Sequence, residues 1–134
     1  MATIERHFPA GLFDSRYGSY AHVVTARGGR HVFVAGQVAL DAARNLVGGG
    51  DLAAQTRQAL ANVATALAAV GAAPKDIVKV TIFVARYRYE YRDVLFPIFN
   101  EFFGEALPAN SLIGVETLAR PEFLIEIEAI AVTD

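Results

Sequence analysis

The sequence predicts one α+β domain with the element order β-β-α-β-α-β-β. Two stretches with apolar residues at helical spacing sit among short β-branched runs, without the strict strand–helix–strand alternation of a parallel sheet. The 134 residues fit a single domain spanning 1–134, and no repeat, low-complexity run or linker divides them. Hydrophobic residues make up 54% and charged residues 19%, which excludes a disordered chain. So short a chain has little interior in which to hide that much apolar surface, so part of the excess is expected in a subunit interface.

The first twenty residues, rich in Gly, Pro and Ser, read as an irregular arm ending at Gly18-Ser19-Tyr20. Ala21–Ala26 and His31–Gly36 read as strands joined into a hairpin by Gly28-Gly29. The run His31-Val32-Phe33-Val34-Ala35 is apolar on both faces, predicting burial on both sides. Gly48-Gly49-Gly50 breaks the chain, and Asp51 caps a helix over Leu52–Val70. Leu60, Val63, Leu67 and Val70 form its buried stripe, while Gln55, Arg57, Gln58 and Asn62 include outward positions. Gly71 and Pro74 end it.

Ile77–Ala85 is a strand with Val78, Val80, Ile82 and Val84 on one face and Lys79, Thr81 and Phe83 on the other. A second helix over Arg92–Phe103 carries Leu95, Phe99 and Phe102, with Gly104 closing it. Ser111–Val115 and Leu124–Val132 are the last strands; Ile125, Ile127, Ala129 and Ala131 share one face of the latter. Helices are expected on one face of a mixed sheet, and a second subunit on the other.

Composition narrows the function. With no cysteine there is no disulfide framework, thiolate chemistry or cysteine-based zinc site. His7, His22 and His31 share no metal-ligand spacing, so no metal is expected. A net charge of −2 gives no basic footprint for nucleic acid. No apolar stretch approaches the ~20 residues of a spanning helix, and the charged first fifteen residues hold no signal-peptide core. The expectation is a soluble, cytoplasmic protein without a membrane role.

Glu126 and Glu128 stand on one face of an otherwise apolar strand. They are either charges that protect a sheet rim or edge, or one of them points into a half-buried pocket as a general acid/base. Ser15, Ser19 and Ser111 lack a nucleophile elbow. Gly48-Gly49-Gly50 lacks the lysine and spacing of a phosphate loop and reads as a flexible loop. Arg86-Tyr87-Arg88-Tyr89-Glu90-Tyr91-Arg92 reads as an interface or pocket rim rather than an RNA surface.

Five segments in order carry a family resemblance: Val32-Phe33-Val34-Ala35-Gly36-Gln37-Val38; Gln55-Thr56-Arg57-Gln58-Ala59-Leu60-Ala61-Asn62-Val63; Asp76–Val84; Phe102-Phe103-Gly104; and Ile125-Glu126-Ile127-Glu128-Ala129-Ile130-Ala131. With them the chain resembles the RidA/YjgF/UK114 family, also called L-PSP endoribonuclease-like, over nearly its whole length. The resemblance implies a chorismate-mutase-like α+β fold. It also implies a homotrimer whose sheets enclose a central barrel, with small-molecule pockets at the subunit interfaces and no cofactor. The implied activity is hydrolysis of reactive imines and enamines to ammonia and a keto acid.

By the same resemblance Glu126 positions water, Tyr20 is the pocket tyrosine and Gly36 a pocket wall. Ala35 stands where serine is common, Phe96 near a usually polar position, and Leu112 is counted among the substrate-binding residues. Asn110, in Pro108-Ala109-Asn110-Ser111, stands where relatives carry the arginine that clamps the substrate carboxylate. Asparagine offers a neutral amide instead of a charged bidentate fork. The change costs on the order of several kcal/mol of carboxylate binding in a confined site. The expected function is therefore a Rid-like hydrolase or deaminase of an imine, enamine or related metabolite other than 2-aminoacrylate. The alternatives are a non-catalytic trimeric metabolite-binding protein and, against the charge balance, an endoribonuclease. Arg16 and Arg120 are the candidate replacement cations.

Overall fold

The computed structural model describes all residues, 1–134. Its strands are β1 (Thr3–His7), β2 (Val23–Arg27), β3 (Arg30–Gln37), β4 (Ile77–Ala85), β5 (Ala109–Val115) and β6 (Ile125–Thr133); its helices are α1 (Leu52–Ala68) and α2 (Arg92–Phe103). Four strands form a mixed sheet in the order β3-β6-β4-β5. β4 and β5 run parallel, joined by the α2 crossover, and β6 lies antiparallel to both β3 and β4. The α+β class, with two helices on a mixed sheet, holds as expected.

One sheet face makes the core. Val34, Val80, Ile82, Val84, Ile125, Ile127, Ala129 and Ala131 meet Leu60, Val63 and Leu67 of α1 and Leu95, Ile98, Phe99 and Phe103 of α2. The alternation of β6 is met over Ile125–Ala131, whose four odd-numbered apolar residues are buried; Val132, next along the strand, is buried too. In β4 the pattern slips once. A register shift between Ile77 and Lys79 turns Ile77, rather than Val78, into the core.

The N-terminal segment departs from the sequence reading. It contains a strand, β1, which pairs antiparallel with β2 as a separate two-stranded sheet. Its only large aliphatic residue is Ile4, so it carried almost no hydrophobic signal. Polar anchoring holds it: Arg6 donates to the carbonyls of Leu107 and Lys75, each at 2.9 Å. The Gly28-Gly29 turn exists, with φ of 72° and 75°, but does not make a hairpin. β2 pairs with β1 and β3 with β6, so the turn passes the chain from one sheet to the other.

Three further expectations change. Phe33 is 75% exposed, so β3 is buried on one side only within a single chain. Val70 lies beyond the end of α1 and is exposed. Gln55 is fully buried: its amide donates to the carbonyls of Gly49 and Glu122 and accepts from the Leu124 amide, tying α1 to the entry of β6. The same Gln55 amide thus contacts the glycine-rich turn at the Gly49 carbonyl. The Asp51 side chain accepts from the Ala53 and Ala54 amides, so the α1 N-terminus is already occupied by a carboxylate.

Candidate functional site

A cavity of about 300 Å³ opens between the start of β5, the first half of α2 and the segment before β2, lined by Gly18, Tyr20, Tyr87, Phe96, Asn110 and Leu112. Four of the sequence-derived residues, Tyr20, Phe96, Asn110 and Leu112, thus share one cavity. Asn110 and Leu112 reach it because alternate residues of β5 face the helices. Phe96 comes from the second turn of α2. The backbone carbonyl of Tyr20 is held by the Ser15 hydroxyl at 2.6 Å, and its ring meets His22 edge-on at 5.4 Å.

Two glycines fit the tyrosines in. A Cβ on Gly18 would stand 3.1 Å from the Tyr20 ring, and one on Gly114 would stand 2.8 Å from Cβ of Tyr87. Sequence reasoning assigned the segment containing Tyr87 to a rim, without naming Tyr87 as a site residue. The signal, a small residue in β5 facing it, lies beyond α2, at a separation that periodicity does not read.

Glu126, Gly36 and Ala35 stand elsewhere. Glu126 is half-buried and lies opposite Phe83 across the β4–β6 ladder, whereas Asn110 lies opposite Val80 across β4–β5. Val80 and Phe83 are three residues apart and point to opposite sheet faces. Within one chain the sheet therefore separates Glu126 from the Tyr20–Asn110 cavity. Gly36 lies in the irregular stretch between Val34 and Gln37, with its Cα against the Glu126 carboxyl. Ala35 is exposed beside it, and its carbonyl accepts from the Gln37 amide at 3.0 Å.

Burial raises the phenol pKa of Tyr20, helped by the nearby Tyr17, and burial likewise raises that of Tyr87. The Arg92 charge opposes the rise at Tyr87. Of the two cations considered from the sequence, neither lines the cavity within one chain. Arg16 pairs with Asp14 at 3.0 Å, and Arg120 with Glu122 at 2.6 Å. Arg92 stands closer: its guanidinium carbon is 3.5 Å from the Tyr89 ring centroid and 5.8 Å from that of Phe96. Its readable sequence signal was the i, i+4 spacing of Arg92 and Phe96 on one helix face. No cluster of three His, Asp or Glu side chains is placed to hold a metal ion, and no helix is long and apolar enough to cross a membrane.

Comparison with known proteins identifies the family. The family described as endoribonuclease L-PSP matches residues 14–133. A RutC family protein of Pyrococcus horikoshii is 36% identical over 116 residues, covering 85% of this chain and 86% of that one. A 2-iminobutanoate/2-iminopropanoate deaminase of Dermatophagoides farinae is 31% identical over 121 residues, covering 87% and 88%. Among solved structures, YyfB of the conserved Rid protein family from Yersinia pestis superposes with a TM-score of 0.94 at 40% identity, covering 97% of this chain and 98% of that one. With its mixed sheet, its two helices and matches that span most of its length, the chain belongs to the endoribonuclease L-PSP family, the RidA/YjgF family of Rid proteins.

Proposed function

We propose that this protein is a cofactor-independent hydrolase of reactive imines or enamines, working in pockets formed where copies of the chain meet. The observation that carries the reading is the separation of Glu126 from the Tyr20–Asn110 cavity by the sheet. One copy's Glu126 can face a ligand in that cavity only if the cavity belongs to another copy. The open sheet face, with Phe33 75% exposed and Ile113 42% exposed, supports a trimer in which those faces are covered. Similarity to proteins named imine deaminases supports the reaction class.

In this reading the Glu126 carboxylate takes a proton from water as the oxygen adds to the C=N carbon. It passes that proton to nitrogen, giving the carbinolamine. It then takes the carbinolamine's hydroxyl proton as C=O forms and delivers it to the departing nitrogen, so that the C–N bond breaks and ammonia leaves; an enamine first gains a proton at carbon and loses one from nitrogen to become the imine. Tyr20 orients the substrate. Asn110 hydrogen-bonds it where relatives place a charged arginine, so 2-aminoacrylate is a poor substrate.

The test is ammonia release from freshly generated 2-aminoacrylate and from larger imines. Glu126→Ala should lower any turnover by on the order of 10²–10⁴-fold, and unaffected turnover would remove Glu126 from the reaction. Turnover of 2-aminoacrylate at the rate of an arginine-bearing relative would sink the role given to Asn110. The mostly apolar lining of the cavity also suits a metabolite-binding protein without catalysis. A ligand that raises the melting temperature and is recovered unchanged would favour that second reading.

A further inference from the structure

Two buried side-chain polar atoms lack a hydrogen-bond partner, Nε of Arg92 and Oδ1 of Asn110. One lines the cavity and the other packs beside it. Asn110 is a wall of the Tyr20–Tyr87–Phe96 cavity. Arg92, in the first turn of α2, lays its guanidinium over the ring of Tyr89 and lies 5.8 Å from the ring of Phe96, another wall. Its charge also reaches the Tyr87 hydroxyl, a third wall.

Arg92 has no acidic partner. The chain's ion pairs join Glu5 to His7, Asp14 to Arg16 and Glu122 to Arg120. Neither Glu90 nor Asp93, its acidic neighbours in sequence, is within ion-pair distance, and both are exposed. Stacking on an aromatic face leaves the in-plane N–H groups of a guanidinium free to donate. A buried donor with no acceptor is costly, and an anion that accepts from it removes the cost.

The walls specify the rest of the ligand. Tyr20, Tyr87 and Phe96 present ring surface, Leu112 adds an aliphatic contact, and about 300 Å³ exceeds what a three-carbon imine fills. We propose that Arg92 is a specificity residue of this pocket, binding the carboxylate of a planar, conjugated substrate larger than 2-aminoacrylate, with Oδ1 of Asn110 accepting from the substrate's N–H as second polar contact. The cation has in effect moved from the start of β5 to the first turn of α2, and the substrate's carboxylate moves with it. This rests on the cavity being the substrate site of the hydrolase proposed above.

The test uses benzoate and its neutral isostere benzamide, titrated calorimetrically into the whole protein at low salt. Benzoate should bind at least about tenfold tighter than benzamide, the range of a hydrogen bond to a charged group. Arg92→Gln should erase that preference, and Arg92→Lys should keep part of it. Equal binding of the two probes, no benzoate binding at millimolar concentration, or a preference that survives Arg92→Gln would each overturn the proposal. Glu126→Ala separates the two readings. A protein that selects benzoate through Arg92 yet hydrolyses nothing sinks the hydrolase alone, and one that hydrolyses through Glu126 yet ignores benzoate sinks the Arg92 assignment alone.

Discussion

The carboxyl group of Glu126 rests on the bare Cα of Gly36: a Cβ at Gly36 would lie 2.7 Å from the carboxyl carbon and 2.9 Å from Cγ of the same side chain. The φ of Gly36 is not in the left-handed region, so space and not backbone freedom makes glycine necessary there. Gly36→Ala should therefore push the Glu126 carboxyl out of place, and because that carboxyl is the movable end of a half-buried side chain the cost to the fold should lie at the low end of the ~1–3 kcal/mol of overpacking. In a Glu126→Ala background the same change should cost almost nothing. Thermal unfolding of the two single variants and the double closes the cycle; equal costs in both backgrounds would show that Glu126 does not fill the space.

That pair also shows how far the sequence could be read. The strands β4 and β6 and the helix α2 were legible because an alternating or 3–4 apolar pattern names both the element and its buried face. Glu126 stood out as a charge in an apolar strand. Its contact with Gly36 could not be read from spacing, because it depends on β6 lying beside β3, a pairing between residues about ninety positions apart. The same limit hid β1, whose anchoring is a guanidinium on two distant carbonyls, and made Gly28-Gly29 resemble a hairpin. Gln55 looked polar and hence outward; only the loop at Glu122–Leu124 supplies the partners that let it sink into the core.

Gln55 gives a second test. Gln55→Leu keeps a similar bulk but strips partners from the carbonyls of Gly49 and Glu122 and the amide of Leu124. The expected cost is about 2–4 kcal/mol, since each buried backbone group left unpaired is worth on the order of 1–3 kcal/mol and water partly replaces the loss. The melting temperature should fall by roughly 5–15 °C. A fall within a degree or two of wild type would mean that the loop before β6 re-forms without the glutamine.

Phe33 tests the assembly. Its side chain lies on the open sheet face and is 75% exposed in the single chain, so Phe33→Asp removes little from the protomer's own core. In a trimer that covers this face, the same change buries a charge without a partner. Light scattering should give wild type three times the 14.4 kDa chain mass, and the Phe33→Asp variant one chain mass with its helical circular dichroism intact. A wild-type monomer, or a variant that assembles unchanged, would remove the interfacial pocket and the role given to Glu126 with it.

The tyrosines of the cavity make a pH prediction whose sign follows from burial. The chain has five tyrosines, and the folded-state pKa is raised above the ordinary 10.0 for Tyr20 and Tyr87, chiefly by desolvation. The fold thus favours the neutral phenol at both positions. That contribution to stability is complete below about pH 10, where unfolded tyrosine begins to ionise, and is lost as the pH climbs through the raised folded-state values. Absorbance at about 295 nm should show Tyr20 and Tyr87 titrating late, with Tyr20→Phe and Tyr87→Phe each removing one late equivalent. The melting temperature should decline less steeply above about pH 10 in the double Phe variant than in wild type. If neither substitution removes a late equivalent, the cavity is wet and the aromatic walls do not desolvate what enters it. An apolar seat for a conjugated substrate, and with it the strength of any charge-assisted bond from Arg92, would then have to be given up.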